Sequence, residues 1–236
     1  MDLNADLGEG FGSWRMGDDA ALLDIVTSAN VACGFHAGDA STMARVCAQA
    51  AERAVAIGAH VSWRDLEGFG RRNIDIAPSQ VTDELVYQIG ALAAVARVAG
   101  TTVTYVKPHG ALYNRCFHDA EMSAAIATAI TLVDPNLVLL AQPGSQLLAA
   151  AIAAGLPMAT EAFADRAYLP TGQLMPRSQA GALLDHDTAV AQAVRFGRSG
   201  EADSLCLHGD SPGAVALARS IRSALAANGV SVARFA

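Results

Sequence analysis

The chain has 236 residues, 52% of them hydrophobic and 17% charged, with a formal net charge of −7. That length suits one domain with a full core, residues 1–236, and the apolar content is too high for disorder. The acidic balance argues against a nucleic-acid or anionic-membrane surface.

No apolar run reaches membrane-spanning length, and the first residues lack a basic start and an apolar stretch. A soluble, cytoplasmic protein is expected. Cys33, Cys47, Cys116 and Cys206 form no C-x-x-C pair, so neither a disulfide framework nor a zinc knuckle is expected. The 16 basic residues comprise 15 Arg and a single Lys, Lys107.

The first strand is expected at Asp2–Asp6, at the very start. Others follow at Ile25–Val31, Ala54–Val61, Thr102–Val106, Leu137–Ala141, Pro157–Ala162 and Ser204–Leu207, with a weak eighth at Val230–Arg234. Helical spacing of apolar residues marks Ser41–Ile57. Ser79–Ala99 is an Ala-rich helix stopped by Gly100. Asp119 caps a helix to about Val133, ended by Asp134-Pro135, and Ser145 caps another closed by Gly155. Ser211-Pro212 reads as an N-cap followed by Pro at the first helical position, with Gly229 at the far end. Regular alternation of this kind predicts an α/β fold with a parallel sheet. Seven or eight units predict a (β/α) barrel, with an open doubly wound sheet as the alternative. The longest irregular segments are His60–Pro78 and Phe163–Gln179. Both follow strand ends, where loops of such length are usually functional.

In a barrel the active site is built by the loops after the strands. Here almost every strand end runs into a polar cluster. Asn4, Asp6 and Glu9 follow the first strand, and Asn30, His36 and Asp39 the second. His60, Ser62, Asp65, Arg71 and Arg72 follow the third. Lys107, His109, Tyr113 and Asn114 follow the fourth. Glu161, Asp165 and Arg166 follow the sixth, and His208, Asp210 and Ser211 the seventh. A lone Asp or Ser after a strand is usually a helix cap, and a lone His a satisfied core residue. Convergence of so many at one mouth favours chemistry. His118 and His186 fall outside these clusters and read as cap or surface residues. Lys107 precedes Pro108, which holds it extended, and its ammonium is a compact donor unlike a guanidinium.

These clusters resemble the LamB/YcsF family, which is identified with the A component of the prokaryotic ATP-dependent 5-oxoprolinase. The resemblance runs from end to end. It rests on Asp2-Leu-Asn-Ala-Asp-Leu-Gly-Glu9, Ser28-Ala-Asn-Val-Ala-Cys-Gly-Phe-His-Ala-Gly-Asp39, Gly58-Ala-His-Val-Ser62 with Asp65-Leu-Glu-Gly-Phe-Gly-Arg-Arg72, Val106-Lys-Pro-His-Gly-Ala-Leu-Tyr-Asn114, Glu161-Ala-Phe-Ala-Asp-Arg166 and His208-Gly-Asp210. Trp63-Arg64 departs from the family pattern of Tyr or Phe, then Pro, before Asp65. The resemblance implies a distorted, deacetylase-like (β/α) barrel. It further implies ATP-driven opening of the 5-oxo-L-proline lactam to L-glutamate, with two partner subunits, B and C.

A Walker A loop needs G-x-x-x-x-G-K-[ST], and the sole Lys here is followed by Pro. ATP, with its Mg²⁺, is therefore expected to be handled by the partner subunits or by an unconventional site. Within this reading Lys107, Arg72 and Arg166 are candidates to bind the substrate carboxylate or a phosphorylated oxygen. Asp6, Glu161 and Asp210 are candidates for orientation or general base. His36, His60, His109 and His208 are candidates to move protons. Asn4, Glu9, Asn30 and Asn114 complete the expected substrate contacts. The helix start at Ser211-Pro212 is a candidate anion contact. Two competing readings are a metal-dependent deacetylase or amidohydrolase, with Asp6, His36 and His60 as ligands, and a non-catalytic 5-oxoproline-binding subunit.

Overall fold

Strand β1 (Asp2–Leu7) alternates polar and apolar residues, so its two faces differ in kind. Leu3, Ala5 and Leu7 join the main hydrophobic core outside the sheet. Asp2, Asn4 and Asp6 face the other way and bond across the inside of a barrel. A computed structural model, which describes residues 1–210 and 213–236, closes seven parallel strands in sequence order, with the last pairing back onto β1. The others are β2 (Ser28–Ala32), β3 (Ala56–Val61), β4 (Val103–Pro108), β5 (Val138–Ala141), β6 (Met158–Phe163) and β7 (Ser204–Leu207). Around them run α1 (Asp19–Leu23), α2 (Ala40–Glu52), α3 (Pro78–Val98), α4 (Gly110–Arg115), α5 (Ala120–Val133), α6 (Gln146–Ala154), α7 (His186–Ser199) and α8 (Ala214–Ala227). The expected parallel barrel is therefore present, closed by seven strands. Among the described residues no helix is long and apolar enough to cross a membrane.

The barrel interior is a hydrogen-bonded polar column. Ser28 and Thr27 donate to Asp2, Asn4 donates to Ser204, Asn30 donates to Asn4 and Asp6, and the Tyr105 hydroxyl donates to Asn30. Each of these buried groups is paired, which such a low-dielectric interior requires. Gly58, paired with Tyr105 across β3 and β4, makes room: a Cβ there would collide with the Tyr105 ring.

Two expectations are corrected. Helix α2 ends at Glu52, not Ile57, because Ala54 turns with a positive φ of 53° and β3 follows at once. Residues 230–234 form no eighth strand. That segment crosses the barrel's lower end, where Met1 and Ser231–Ala233 exchange backbone bonds and Phe235 packs on Tyr105 at 5.0 Å. Its apolar Val230 and Val232 rest on the core as a cover. The Ser211-Pro212 cap lies outside the described residues; α8 starts after Gly213. Helices α1, α4 and α7 add to the expected set.

Candidate active site

The ends of β1, β4, β6 and β7 bring four groups around one ammonium. Lys107 Nζ lies 3.0 Å from Glu161 Oε2, 3.3 Å from Asp6 Oδ1, 3.0 Å from Cys206 Sγ and 3.3 Å from Asn4 Oδ1. It also sits 5.1 Å over the Phe163 ring. Lys107 is only 2% exposed. Burial alone would discharge it, but Asp6 and Glu161 hold it protonated well above its ordinary range. Burial likewise raises Asp6, yet His60 and Lys107 outweigh it and keep that carboxyl well below the usual range. For Glu161 burial wins over the pull of Lys107, and its carboxyl is raised.

Beside this hub, the ends of β1 to β4 place Glu9, His36, His60 and His109 together, all buried. One potential ligand atom from each lies within 4.8 Å of the others. The His36 ring stacks on His109 at 3.9 Å, and His60 meets both edge-on. Burial lowers the pKa of His36 and His109, so both rings stay neutral. Burial, with Asp6 and Asp210 nearby, raises the Glu9 carboxyl. The loop 62–77 closes over this group through Gly70. Its φ is +64°, and a Cβ there would lie 2.5 Å from Ser62 Oγ and 2.8 Å from both His109 and His36.

A cavity of about 1240 Å³ opens above, with Asp6, His60, Lys107 and His109 in its lining. Its wall carries Arg71, Arg166, Arg177 and His208. Arg71 and Arg177 both donate to Asp210, at 2.7 and 3.1 Å. Burial raises the Asp210 carboxyl, but the two guanidiniums outweigh it and bring its pKa to about 2. Two guanidiniums on one carboxylate leave one positive charge uncompensated at the wall. His208 Nδ1 lies 2.9 Å from Asp165, so the carboxylate holds the ring with Nε2 as its free nitrogen.

The expected residues separate by depth. Asp6, His60, Lys107, His109 and His208 meet at the cavity, as do Asn114 and Arg166, although Arg166 is tied to the carbonyls of Ala182 and Met175. His36, Glu9 and Glu161 stand just behind them. Asn4 and Asn30 lie inside the barrel and brace Asp6 and Lys107. Arg72 does not line the cavity: it clamps Asp65 and Glu67 at the loop's outer edge, 59% exposed, and Arg71 takes the inward position. His186 and His118 are exposed, although His118 borders the cavity rim. Sequence reasoning missed Cys206, Arg177 and the pairing of Asp165 with His208. Alternation along Ser204-Leu-Cys206 is a signal for the first, since Ser204 and Cys206 share the inner face. For Arg177 the signal is the length of the loop 163–179 that carries it, which does not single out the residue.

Comparison with known proteins bears on this site. The LamB/YcsF family model matches residues 1–236. The chain belongs to the LamB/YcsF family. A Streptomyces avermitilis protein named as the A component of 5-oxoprolinase is 57% identical, with all of each chain covered. The crystal structure of the lactam utilization protein from Thermus thermophilus superposes with a TM-score of 0.94 at 41% identity, over 99% of each chain. A peptidoglycan N-acetylglucosamine deacetylase domain from Eubacterium rectale has a TM-score of 0.54 at 12% identity, covering all of this chain and 87% of that one. At that distance the LamB/YcsF chain shares only the deacetylase-like barrel.

Proposed function

We propose that the protein is the A component of an ATP-dependent 5-oxoprolinase, opening the 5-oxo-L-proline lactam to L-glutamate in a cytoplasmic complex with subunits B and C. The observation that carries this reading is the joining of a buried ammonium, set beside Asp6 and Glu161, to an arginine-walled cavity, in a chain 57% identical to a protein named as the A component of 5-oxoprolinase. 5-Oxoproline is a small anion whose reactive carbonyl sits on an unstrained ring. The excess positive charge of Arg71 and Arg177 suits its carboxylate. Lys107, held charged at the cavity floor, is suited to stabilise negative charge developing on the lactam oxygen.

His208, oriented by Asp165, is the candidate to take a proton from water and return one to the departing ring nitrogen. Asp210, at a pKa of about 2, is too weak a base for that step and orients the arginines. Phosphorylation of the lactam oxygen by ATP would make its carbon electrophilic: water adds, the protonated ring nitrogen leaves, and hydrolysis of the resulting acyl phosphate yields L-glutamate and inorganic phosphate. ATP and its Mg²⁺ belong to the partner subunits in this reading, since the chain has no Walker A loop. The test is glutamate release from 5-oxoproline by the full chain, alone and with B and C, with and without ATP. Release only with all parts present is expected. No release from the complete mixture refutes the reading.

A further inference from the structure

The geometry points to a divalent transition-metal site formed by Glu9, His36, His60 and His109. Two backbone carbonyls fix where two of the rings carry their protons. His60 Nδ1 lies 3.0 Å from the carbonyl oxygen of Lys107, and His109 Nε2 lies 2.9 Å from that of Phe69. A carbonyl oxygen only accepts, so both nitrogens carry the proton. That leaves His60 Nε2 and His109 Nδ1 as the ring nitrogens not committed to a backbone carbonyl. They face each other at 3.0 Å. With both bare, two lone pairs at that distance repel unless a cation lies between them.

A proton there would serve that pair and Asp6 Oδ1, 3.4 Å from His60 Nε2, but would leave His36 and Glu9 unmet. Both ring nitrogens of His36 and Oε1 of Glu9 are buried with no hydrogen-bond partner. His36 Nε2 is 3.5 Å and His109 Nδ1 3.7 Å from that same Glu9 oxygen. Unpaired buried polar atoms are costly, and Glu9 Oε1 and His36 Nε2 converge on the facing nitrogens of His60 and His109, so that the four together call for a shared ligand. Ligands held about 2.0–2.1 Å from a tetrahedral ion stand about 3.4 Å apart, which these spacings bracket. Three imidazoles and one carboxylate are borderline nitrogen-rich donors that select Zn²⁺, Co²⁺ or a neighbour over Mg²⁺ and Ca²⁺. The ion is thus distinct from the Mg²⁺ of ATP.

The surroundings match what metal-bound histidines need. The carbonyls of Lys107 and Phe69 fix the tautomers of His60 and His109 from behind. Phe69 reaches His109 from a left-handed backbone conformation, φ 54°, which a non-glycine residue adopts only under constraint. His60 and His109 border the cavity, so the ion would be reachable by a small ligand. Its use in opening the lactam rests on the function proposed above; its binding does not.

The test is performed on the full chain. Protein stripped with chelator is titrated with Zn²⁺ alone by calorimetry and with Co²⁺ by visible spectroscopy, folding being followed by circular dichroism. About one equivalent per chain is expected, with the intense visible bands of nitrogen-ligated, low-coordinate Co²⁺. His36→Gln and Glu9→Gln are expected to lose at least tenfold in affinity while remaining folded, and His118→Gln to bind as wild type. Absence of stoichiometric binding to the wild type, or unchanged binding by both ligand variants, overturns the site. If the variants fail to fold, the wild-type Co²⁺ spectrum decides alone, and a six-coordinate aquo-type spectrum overturns it. Stoichiometric binding upholds the site even where the complete mixture releases no glutamate; that failure would count against the proposed function alone.

Discussion

Replacing Lys107 by Met keeps most of the stem and removes the ammonium from between Glu161, 3.0 Å away, and Asp6, 3.3 Å away. At an effective dielectric constant of about 20, each contact is an attraction of about 5 kcal/mol. Much of that offsets the several kcal/mol of desolvating each ion, so the truncation is expected to cost about 3–5 kcal/mol of stability at neutral pH. The variant has one route to relief. Glu161, whose carboxyl burial already raises above 4.5 against the pull of Lys107, takes a proton. A carboxyl with a raised folded-state pKa contributes stability that is full below the unfolded value and lost as pH rises through the folded one. Removing Lys107 raises that pKa further. The deficit against wild type therefore grows between about pH 5 and pH 8. Adding Glu161→Gln removes one stranded charge, and the double variant is expected to be more stable than the sum of the singles by at least about 2 kcal/mol. Urea denaturation followed by circular dichroism at both pH values measures all four corners of the cycle. A single variant that unfolds at the wild-type midpoint, or two singles that simply add, refutes the reasoning.

Three further outcomes are expected. Asp210→Asn removes a carboxylate whose pKa falls from 3.8 to about 2. Such a group stabilises above its unfolded value and loses that stabilisation as pH falls. With Arg71 38% exposed, the difference is discounted to about 1–2 kcal/mol at pH 7, narrowing between about pH 4 and pH 2, and a constant gap in urea denaturation counts against it. Arg177→Ala is expected to raise KM for 5-oxoproline at least about tenfold, the loss of one charge-assisted hydrogen bond, with kcat less affected; an unchanged KM removes Arg177 from the carboxylate site. Gly70→Ala and Gly100→Ala both force a side chain into a left-handed conformation, at about 1–2 kcal/mol. Only Gly70 also crowds His36 and His109. Calorimetric melting should show Gly70→Ala as the clearly less stable of the two; equal losses would mean that the loop does not press on the histidines.

The barrel is legible in the sequence because each strand announces itself by a short apolar or alternating run that ends in polar residues. The expected eighth strand fails on the same signal: Val230 and Val232 alternate, but they face a core that already has seven strands, and the segment serves as a cover. Helix α7 is marked at its ends by the Asp185 N-cap and by Gly200, but its buried face is Ala189, Ala193 and Phe196, two of them too small to stand out as an apolar stripe. Among site residues, those next to a strand end are the legible ones. Arg72 and Arg71 are adjacent, and the sequence does not distinguish the one held by Asp65 from the one aimed inward. Glu9 reads in sequence as a substrate contact, whereas its place beside three histidines depends on how four strand ends meet.

The single lysine follows from the same geometry. Around Nζ, Asp6, Glu161, Asn4 and Cys206 converge on one point from β1, β6 and β7. An ammonium with three rotatable donors satisfies a converging set. A planar guanidinium spreads five donors over a rigid fork and would need the barrel to widen. Neighbouring β3 contributes Gly58, whose missing side chain admits Tyr105 below Lys107, and Tyr105 in turn holds Asn30 against Asp6. The polar column therefore acts as a support that sets Asp6 at the height where it meets both Lys107 and His60, at 3.3 and 3.4 Å. Asp6 thus links the two halves of the site, the ammonium hub and the histidine group. Both halves depend on an inward-facing polar alternation that begins at residue 2.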